Sequence, residues 1–262
     1  LGDHLASASD DKTVAIWQLP RMNVIWRSQA HGYLVNQLHL RGGPSPSLWT
    51  SSSDGQVKQW GWPQSEERQA VDTRRVLGRS YNLHAVWASG DAQQLLVGTW
   101  NHALLVLRRD ARGPWGGRAL PVESQVIYQR AEAAASDAVV LVGLSPHRAY
   151  AWDLRRSRLL ALPDFGVAAY AALPGAEPGE VLVPGVGGLL RYRLERGPDG
   201  DLAARAWARL DTRLGPLLCG ALLPGPPPRL AVGNGQGELI LLDLGRLFGR
   251  PLFEGRLAEA RR

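Results

Sequence analysis

The amino-acid sequence predicts an all-β fold built from one repeated unit of four antiparallel strands. A short pattern of residues recurs at successive spacings of 43, 47, 45, 40 and 50 residues. Each copy combines a short apolar strand, a tight turn and a second strand of alternating character. Glycine and proline are frequent, at 30 and 18 residues, so turns must be frequent as well.

The pattern is clearest in its first two copies. Residues 5–17 (LASASDDKTVAIW) recur as residues 48–60 (LWTSSSDGQVKQW), and in both an aspartate stands six residues before the final tryptophan. Weaker copies end at Leu107, Trp152, Tyr192 and Leu242. A period of this length is that of a four-stranded propeller blade, so the sequence predicts a β-propeller.

The weaker copies keep the strands but lose the polar residues. Their hairpins are predicted at residues 95–99 with 103–107, 139–144 with 148–154, 181–183 with 189–194, and 230–233 with 238–242. Asn101 and Leu107 replace aspartate and tryptophan in the third copy, and Pro146 replaces aspartate in the fourth. We therefore expect copies three to six to depend on apolar packing. Helical periodicity of useful length is predicted only in the last few residues.

The pattern resembles the WD-repeat family over essentially the whole chain. The resemblance implies a buried hydrogen-bonded network formed by a histidine, a serine or threonine, the turn aspartate and the tryptophan. In the second copy these residues are His31, Thr50 or Ser52, Asp54 and Trp60, and the first copy supplies Asp11 and Trp17. An unpaired buried polar group costs about 1–3 kcal/mol, so we interpret these residues as structural.

The repeat divides the chain into about six recognisable blades. Their predicted boundaries are 1–30 (partial), 31–78, 79–122, 123–164, 165–212 and 213–262. The first blade lacks its innermost strand, and residues 251–257 can supply an outer strand for the last. Because an open propeller exposes unpaired strand edges, we expect at least one further strand, and one or more whole blades, before Leu1. The chain is then part of a larger protein.

The sequence offers little catalytic chemistry. Asp10 and Asp11 lie in a predicted hairpin turn, where aspartate favours the backbone geometry. Residues 51–53 (SSS) lack a nucleophile-elbow context, and residues 233–237 (GNGQG) lack the lysine and helix of a P-loop. The six histidines, at positions 4, 31, 39, 84, 102 and 147, show no metal-ligand spacing. We predict no enzymatic activity, no cofactor, no metal and no small-molecule substrate.

Composition points to the interior of the cell. Cys219 is the single cysteine, which excludes an internal disulfide. No stretch approaches the roughly 20 apolar residues of a membrane helix, and no signal peptide is visible. We expect a cytoplasmic or nuclear protein without a membrane partner.

Arginine dominates the positive charge. The net charge is +6, and lysine contributes only Lys12 and Lys58 to the 30 basic residues. Arginines gather after the third strand of several blades, where the fold implies loops on a common face: Arg108, Arg109, Arg112, Arg155, Arg156, Arg158, Arg193, Arg196, Arg246 and Arg250. Such a face could contact phosphates or an acidic partner. Acidic residues interleave with it, however, and no aromatic series accompanies it, so a solvated mixed-charge face is the first interpretation.

Two further signals concern tryptophan. Residues 152–155 (WDLR) resemble the Trp-Asp-x-Arg element by which some WD-repeat proteins dock on the adaptor of cullin-4 ubiquitin ligases. Trp62, Trp115 and Trp207 are expected in loops or outer strands, where they anchor interfaces or cover blade edges.

The function predicted is a non-catalytic protein-interaction scaffold within a larger intracellular multiprotein assembly, with other proteins as its partners. The first alternative is a ribonucleoprotein component that contacts RNA through the arginine-rich face. The second is a substrate receptor of a cullin-4-type ubiquitin ligase.

Overall fold

A computed structural model describes residues 3–42, 45–63, 66–110, 113–133, 137–144, 146–163, 167–210, 214–223 and 226–244. The chain divides into two compact units, Leu1–Tyr128 and Gln129–Arg262. The described residues form six β-sheets and one short helix, which confirms the predicted all-β class. Each sheet lies within one of the six predicted segments, whose assignment as blades stays a prediction. None of the described helical residues forms a helix long and apolar enough to cross a membrane.

The first two sheets contain the two clearest copies of the repeat. The first has three strands in sequence order, β1 (His4–Ala8), β2 (Thr13–Gln18) and β3 (Asn23–Gln29). The second has four, β4 (Val35–Arg41), β5 (Ser47–Ser52), β6 (Gln56–Gly61) and β7 (Glu67–Asp72). The copies form matching hairpins, since Leu5 pairs with Trp17 and Leu48 pairs with Trp60.

A five-residue helix, α1 (Thr73–Leu77), follows the second sheet. The Asp72 side chain caps its first turn by accepting a hydrogen bond from the Arg74 N–H at 2.8 Å. Gly78 ends it in the left-handed conformation, with φ of 74°. The helix is too short to show a 3.6-residue period, so only its capping residues could have indicated it.

The third sheet completes the first unit. Its strands lie in the order β11-β10-β9-β8, with β8 (Leu83–Ala88), β9 (Gln94–Thr99), β10 (Ala103–Arg108) and β11 (Gly116–Pro121). Aliphatic side chains from its inner strands pack against Trp49 and Val57 of the second sheet. On its other face, the second sheet packs Leu48 and Trp60 against the first sheet. Trp62 lies in the turn after β6, as predicted, but its side chain belongs to this second core and is only 4% exposed, so it is not available to anchor an interface.

The fourth sheet has its strands in sequence order. They are β12 (Val126–Ala133), which begins in the first unit, β13 (Ala138–Leu144), β14 (Arg148–Asp153) and β15 (Arg158–Ala161). The hairpin of β13 and β14 lies where the alternating pattern predicted it. Trp152, the last residue of the fourth repeat copy, is fully buried.

The fifth sheet has a divided inner strand. Its strands are β16 (Ala168–Ala169), β17 (Leu173–Pro174), β18 (Glu180–Val186), β19 (Gly188–Arg196) and β20 (Leu202–Leu210). Both short strands pair with β18. Between β16 and β17, the Tyr170 and Ala171 N–H groups both donate to the Pro184 carbonyl. These two residues interrupt the inner strand.

The sixth sheet has three described strands, β21 (Leu217–Leu223), β22 (Arg229–Asn234) and β23 (Leu239–Asp243), in that order. Leu217, Leu230 and Val232 are buried against Leu182 and Leu189 of the fifth sheet. The outer strand predicted at residues 251–257 lies outside the described residues.

Candidate functional site

The polar residues of the second repeat copy meet in a connected network. His31 Nδ1 lies 3.0 Å from Asp54 Oδ2, and His31 Nε2 lies 2.7 Å from Thr50 Oγ1. The Trp60 indole N–H donates to Thr50 Oγ1 at 3.1 Å. Because a carboxylate only accepts, His31 Nδ1 carries a proton and donates to Asp54. In this tautomer Nε2 accepts from the Thr50 hydroxyl, so the linked side-chain atoms of His31, Thr50, Asp54 and Trp60 all have a partner.

Ser52, the other hydroxyl predicted for this network, has a different role. Its Oγ accepts from the Asp54 N–H at 3.1 Å and donates to the Tyr33 carbonyl at 3.2 Å. It therefore fixes the turn and the loop beside the network, whereas Thr50 alone bridges His31 and Trp60. Gly55 closes the turn with φ of 84°. A Cβ there would lie 2.4 Å from Ser80 Oγ, so the position requires glycine.

The first copy repeats only half of this arrangement. The Trp17 indole N–H donates to Ser7 Oγ at 2.8 Å, in the manner of Trp60 and Thr50. Asp11 lies apart from Trp17 and accepts from the Thr13 hydroxyl and N–H at 2.6 and 2.9 Å. The hydrogen bond from the Thr13 hydroxyl is the largest of the effects that lower the pKa of Asp11 to about 2.

Two of the weaker copies keep a polar turn that the sequence analysis missed. Asn101 Oδ1 accepts from the Asn82 N–H at 3.2 Å, as Asp54 Oδ2 accepts from the Gly32 N–H at 2.9 Å. In the sixth sheet, Asn234 Oδ1 accepts from the N–H groups of its own turn, and its amide donates to the Leu214 carbonyl at 2.8 Å. The third and sixth copies therefore combine these polar turns with the apolar packing predicted for copies three to six. An asparagine near the predicted turn was the signal available.

In the second unit, an arginine of the predicted face forms a shielded ion pair. Arg196 holds Asp153 with both terminal nitrogens, at 2.8 Å to Oδ1 and 3.1 Å to Oδ2. The side chains are 14% and 6% exposed. Arg196 also donates to the Gly200 carbonyl at 2.9 Å. The pair joins the end of β14 to the end of β19, across 43 residues of sequence.

Neighbouring arginines are neutralised in the same way. The Arg155 guanidinium lies 2.5 Å from Asp137 Oδ2, and that of Arg156 lies 2.6 Å from Asp201 Oδ1. Both backbone N–H groups donate to Asp153 Oδ1. The structure thus brings Arg155, Arg156 and Arg196 together, but each faces a carboxylate.

The other predicted arginines are dispersed. Arg193 Nε lies 3.8 Å from Glu195 Oε1. In the first unit, Arg108 is exposed, while Arg109 donates to Gln69 Oε1 at 2.6 Å and lies 4.9 Å from the centre of the Trp115 ring. Arg112, Arg246 and Arg250 lie outside the described residues, as does the side chain of Trp207.

Arg158 lines a cavity of about 120 Å³ in the second unit, together with Asp153, Leu160, Asp201 and Leu202. Both aspartates there already bind arginines, so the cavity has little capacity left for a cation. Within the described part of the chain, no group of three or more His, Cys, Asp or Glu side chains is arranged to hold a metal ion.

The tryptophan, aspartate and arginine of the Trp-Asp-x-Arg element at residues 152–155 all make contacts within the second unit. Trp152 is fully buried, and Asp153 binds Arg196. The Arg155 side chain is 66% exposed, but its guanidinium binds Asp137. A partner at this element would have to compete with that ion pair.

Acid should destabilise the protein through Asp54 and Asp153. Burial acts to raise the pKa of Asp54, but hydrogen bonds from His31, Gly32 and Gln56 outweigh it and lower the pKa. The hydrogen bond from Arg196 lowers the pKa of Asp153 despite its burial. A carboxyl group whose pKa is lower in the folded state stabilises the fold above its unfolded pKa, about 3.9, and loses that effect as the pH falls.

We therefore expect the free energy of unfolding, measured by urea titration, to fall as the pH drops below about 4. The double variant Asp54→Asn with Asp153→Asn should show a weaker dependence over the same range. Equal dependence in the variant and the wild type would contradict the assignment.

Turns and loops of the first unit meet at one edge of its sheets, which we call the turn edge. It comprises residues 9–12, 30–34, 53–55, 73–82 and 100–102. Backbone hydrogen bonds join its segments, from His31 N to Lys12 O at 3.4 Å, from Ser53 N to Leu34 O at 3.1 Å, and from Trp100 N to Asn82 O at 2.9 Å.

Two aromatic side chains protrude from the turn edge. Tyr33 is 54% exposed and Trp100 is 43% exposed. The Trp100 ring lies against that of His84, with centroids 5.3 Å apart. The Ser52 and Ser51 hydroxyls, adjacent in β5, donate to the carbonyls of Tyr33 and His84 respectively, so the aromatic residues stand on neighbouring segments. We call Tyr33, His84 and Trp100 the aromatic strip.

The aromatic strip has little charge of its own. Burial lowers the pKa of His84, so its ring is neutral at neutral pH. Sequence reasoning missed the strip, although Trp100 occupies a turn position at which the second copy has Ser53. A large aromatic residue in a turn was the signal available.

Comparison with known proteins shows the fold. The sequence matches no protein-family model and none of the curated proteins. Among solved structures, the chain is similar to Sqt1 of Saccharomyces cerevisiae, at 11% identity over 92% of this chain and 68% of that one, with a TM-score of 0.67. It is also similar to a chain of the Mitotic Checkpoint Complex, at 14% identity over 92% and 71%, with a TM-score of 0.70. Both are WD40 β-propellers, so the chain has a β-propeller fold.

Proposed function

We propose that this chain is a non-catalytic scaffold of the WD-repeat family, which holds other proteins together in a multiprotein assembly inside the cell. The observation that carries the proposal is the aromatic strip on the turn edge of the first unit. Half-exposed tyrosine and tryptophan side chains on a hydrogen-bonded backbone are typical of the centres of protein interfaces. A neutral His84 against Trp100 favours a partner segment with apolar or aromatic side chains over a charged one.

The fold and its polar network support this proposal. A rigid set of sheets presents turns that vary without disturbing the core, so recognition can lie in the turns. In this account the contacts among His31, Thr50, Asp54 and Trp60 are structural, because they satisfy buried polar groups next to the turn edge. One of the similar structures is a chain of a complex, the Mitotic Checkpoint Complex.

The two alternatives lack comparable support. Counterion release on phosphate contact requires arginines that are not already neutralised, but Arg155, Arg156 and Arg196 each bind an aspartate. The same Arg155–Asp137 pair stands against docking of a ligase adaptor at residues 152–155.

Substitution of the aromatic strip tests the proposal. We expect Trp100→Ala to weaken binding of at least one partner by about 2 kcal/mol, which is roughly thirtyfold in Kd, because an interface tryptophan buries a large apolar surface. The measurement is quantitative mass spectrometry of proteins copurified from cells with tagged wild type and variant, followed by calorimetric titration of the partner that is lost.

Met22→Ala provides the control, since Met22 is 48% exposed and lies between β2 and β3, at the ends of these strands opposite to the turn edge. Its partners should be those of the wild type. The proposal fails if Trp100→Ala and Tyr33→Ala both keep every partner at wild-type affinity.

A further inference from the structure

Three exposed arginines lie on the connection between the second and the third sheet, both of which belong to the first unit. Arg74 and Arg75 are in α1, and Arg79 follows the helix, with its guanidinium 4.6 Å from the centre of the Tyr81 ring. Among the described residues, neither Arg74 nor Arg79 forms an ion pair. Arg75 lies 3.8 Å from Asp72, but its side chain is 89% exposed, so this pair contributes little. We call the three arginines the basic segment.

The basic segment differs from the arginines that the sequence placed on a common face. Arg155, Arg156 and Arg196 each lie against an aspartate side chain, which cancels their charge. The basic segment follows an outer strand, β7, rather than a third strand, and it keeps most of its positive charge for contact with another molecule.

The basic segment is joined to the aromatic strip through one turn. The Thr73 N–H and hydroxyl both donate to the Gly55 carbonyl, at 3.0 and 2.9 Å, so α1 begins at the turn of the second sheet. The Asn82 carbonyl, at the other end of the connection, accepts from the Trp100 N–H at 2.9 Å. Because a five-residue helix rises by only about 8 Å, one extended peptide can reach both the basic segment and the strip.

The carboxylates of the turn edge lie on other segments. Asp10 and Asp11 are in the turn of the first sheet, where Asp11 binds Arg27 at 2.7 Å. Asp54 accepts from His31 within the buried network. Since the second sheet packs between the first and the third, the turn of the first sheet lies across the second sheet from the basic segment. The turn edge is therefore basic at one end, next to the aromatic strip.

We propose that the protein segment bound at the aromatic strip is acidic. It places an apolar or aromatic side chain on the strip, and its carboxylates lie on the basic segment rather than on the strip. This partner chemistry rests on the proposed function, since it concerns the same turn edge. Complementary charges at the rim of an interface steer association, whereas a buried aromatic anchor slows dissociation.

Selection from a phage-displayed library of random peptides tests the inference, with the full-length protein as bait. Peptides that bind Trp100→Ala more weakly than the wild type are kept, because they report on the strip. We expect them to carry a net negative charge beside an aromatic or large aliphatic residue. The triple variant Arg74→Gln, Arg75→Gln and Arg79→Gln should weaken their binding about tenfold, because each exposed ion pair contributes little by itself.

A second triple variant is the matched control. Arg21→Gln, Arg68→Gln and Arg158→Gln remove the same charge at exposed positions outside the turn edge, and should leave binding unchanged. Surface plasmon resonance then separates the two parts of the site. Loss of the basic segment should slow association of the selected peptides, whereas Trp100→Ala should speed their dissociation. Raising the salt from about 0.1 M to about 1 M should slow association to the wild type in the same way, since salt screens exposed charges.

Three outcomes would overturn the inference. Selected peptides without net negative charge, or equal binding by the two triple variants, would show that the basic segment takes no part, and would leave the proposed function standing. Failure to select any peptide that depends on Trp100 would overturn both. Tighter binding of a single-stranded RNA of random sequence than of any selected peptide, lost with the basic segment, would assign these arginines to a nucleic acid.

Discussion

Thr50→Val should lower the free energy of unfolding by about 3 kcal/mol. Valine keeps the shape of threonine but removes the hydroxyl that lies between His31 Nε2 and the Trp60 N–H. Thr50 is fully buried, so water cannot replace the lost oxygen. Two buried polar groups are left without partners, and each costs about 1–3 kcal/mol. Urea unfolding followed by tryptophan fluorescence measures the change.

Ser7→Ala is the matched control, because Ser7 has the same position in the first copy and accepts from Trp17. That hydrogen bond is only partly buried, so we expect a loss of about 1 kcal/mol or less. If Thr50→Val and Ser7→Ala lowered the free energy of unfolding equally, the buried network of the second copy would stabilise the fold no more than the single hydrogen bond of the first. That result would contradict its structural role.

Arg196→Met should lower the free energy of unfolding by about 2–3 kcal/mol. Methionine retains much of the aliphatic stem, but Asp153 loses both hydrogen bonds to the guanidinium. Breaking a fully buried ion pair costs about 3–5 kcal/mol. We expect a smaller loss of stability here, because the Arg196 side chain is 14% exposed. Urea unfolding again provides the measurement.

Arg155→Met is the control for Arg196→Met, because it removes an arginine charge without breaking the shielded ion pair. Its side chain is 66% exposed, and an exposed ion pair contributes about 0–1 kcal/mol. Combining Arg196→Met with Asp153→Asn should recover part of the loss, since no buried carboxylate then lacks a partner. A loss from Arg196→Met no larger than that from Arg155→Met would refute the importance of the Asp153–Arg196 pair.

The hairpins could be predicted from sequence because their information is local. Alternating side chains specify which face of a strand is buried, and an aspartate, asparagine or glycine marks the turn a few residues away. The pairing of Leu48 with Trp60 and of Val139 with Trp152 follows from such segments alone. The fold class then followed from the spacing of the copies.

The features that escaped prediction depend on distant residues. Asp153 and Arg196 are 43 positions apart, and nothing near either residue indicates the other. The burial of Trp62 depends on its packing against the first sheet, although its neighbouring residues resemble a loop. The aromatic strip combines Tyr33 with Trp100 through contacts of a third strand. Local patterns therefore specified the hairpins but not the surfaces that they form together.

The measurement that tests the scaffold proposal most directly is affinity purification of the protein from cells. It is made with the wild type and with the double variant Tyr33→Ala with Trp100→Ala, and each cell extract is divided into a nuclease-treated and an untreated half. We expect partners that survive nuclease treatment and are lost from the double variant, because recognition occurs between protein surfaces at the aromatic strip. The account would be contradicted if the partners were lost on nuclease treatment and were copurified equally with the wild type and the double variant. That result would favour a nucleic acid as the molecule that this propeller binds.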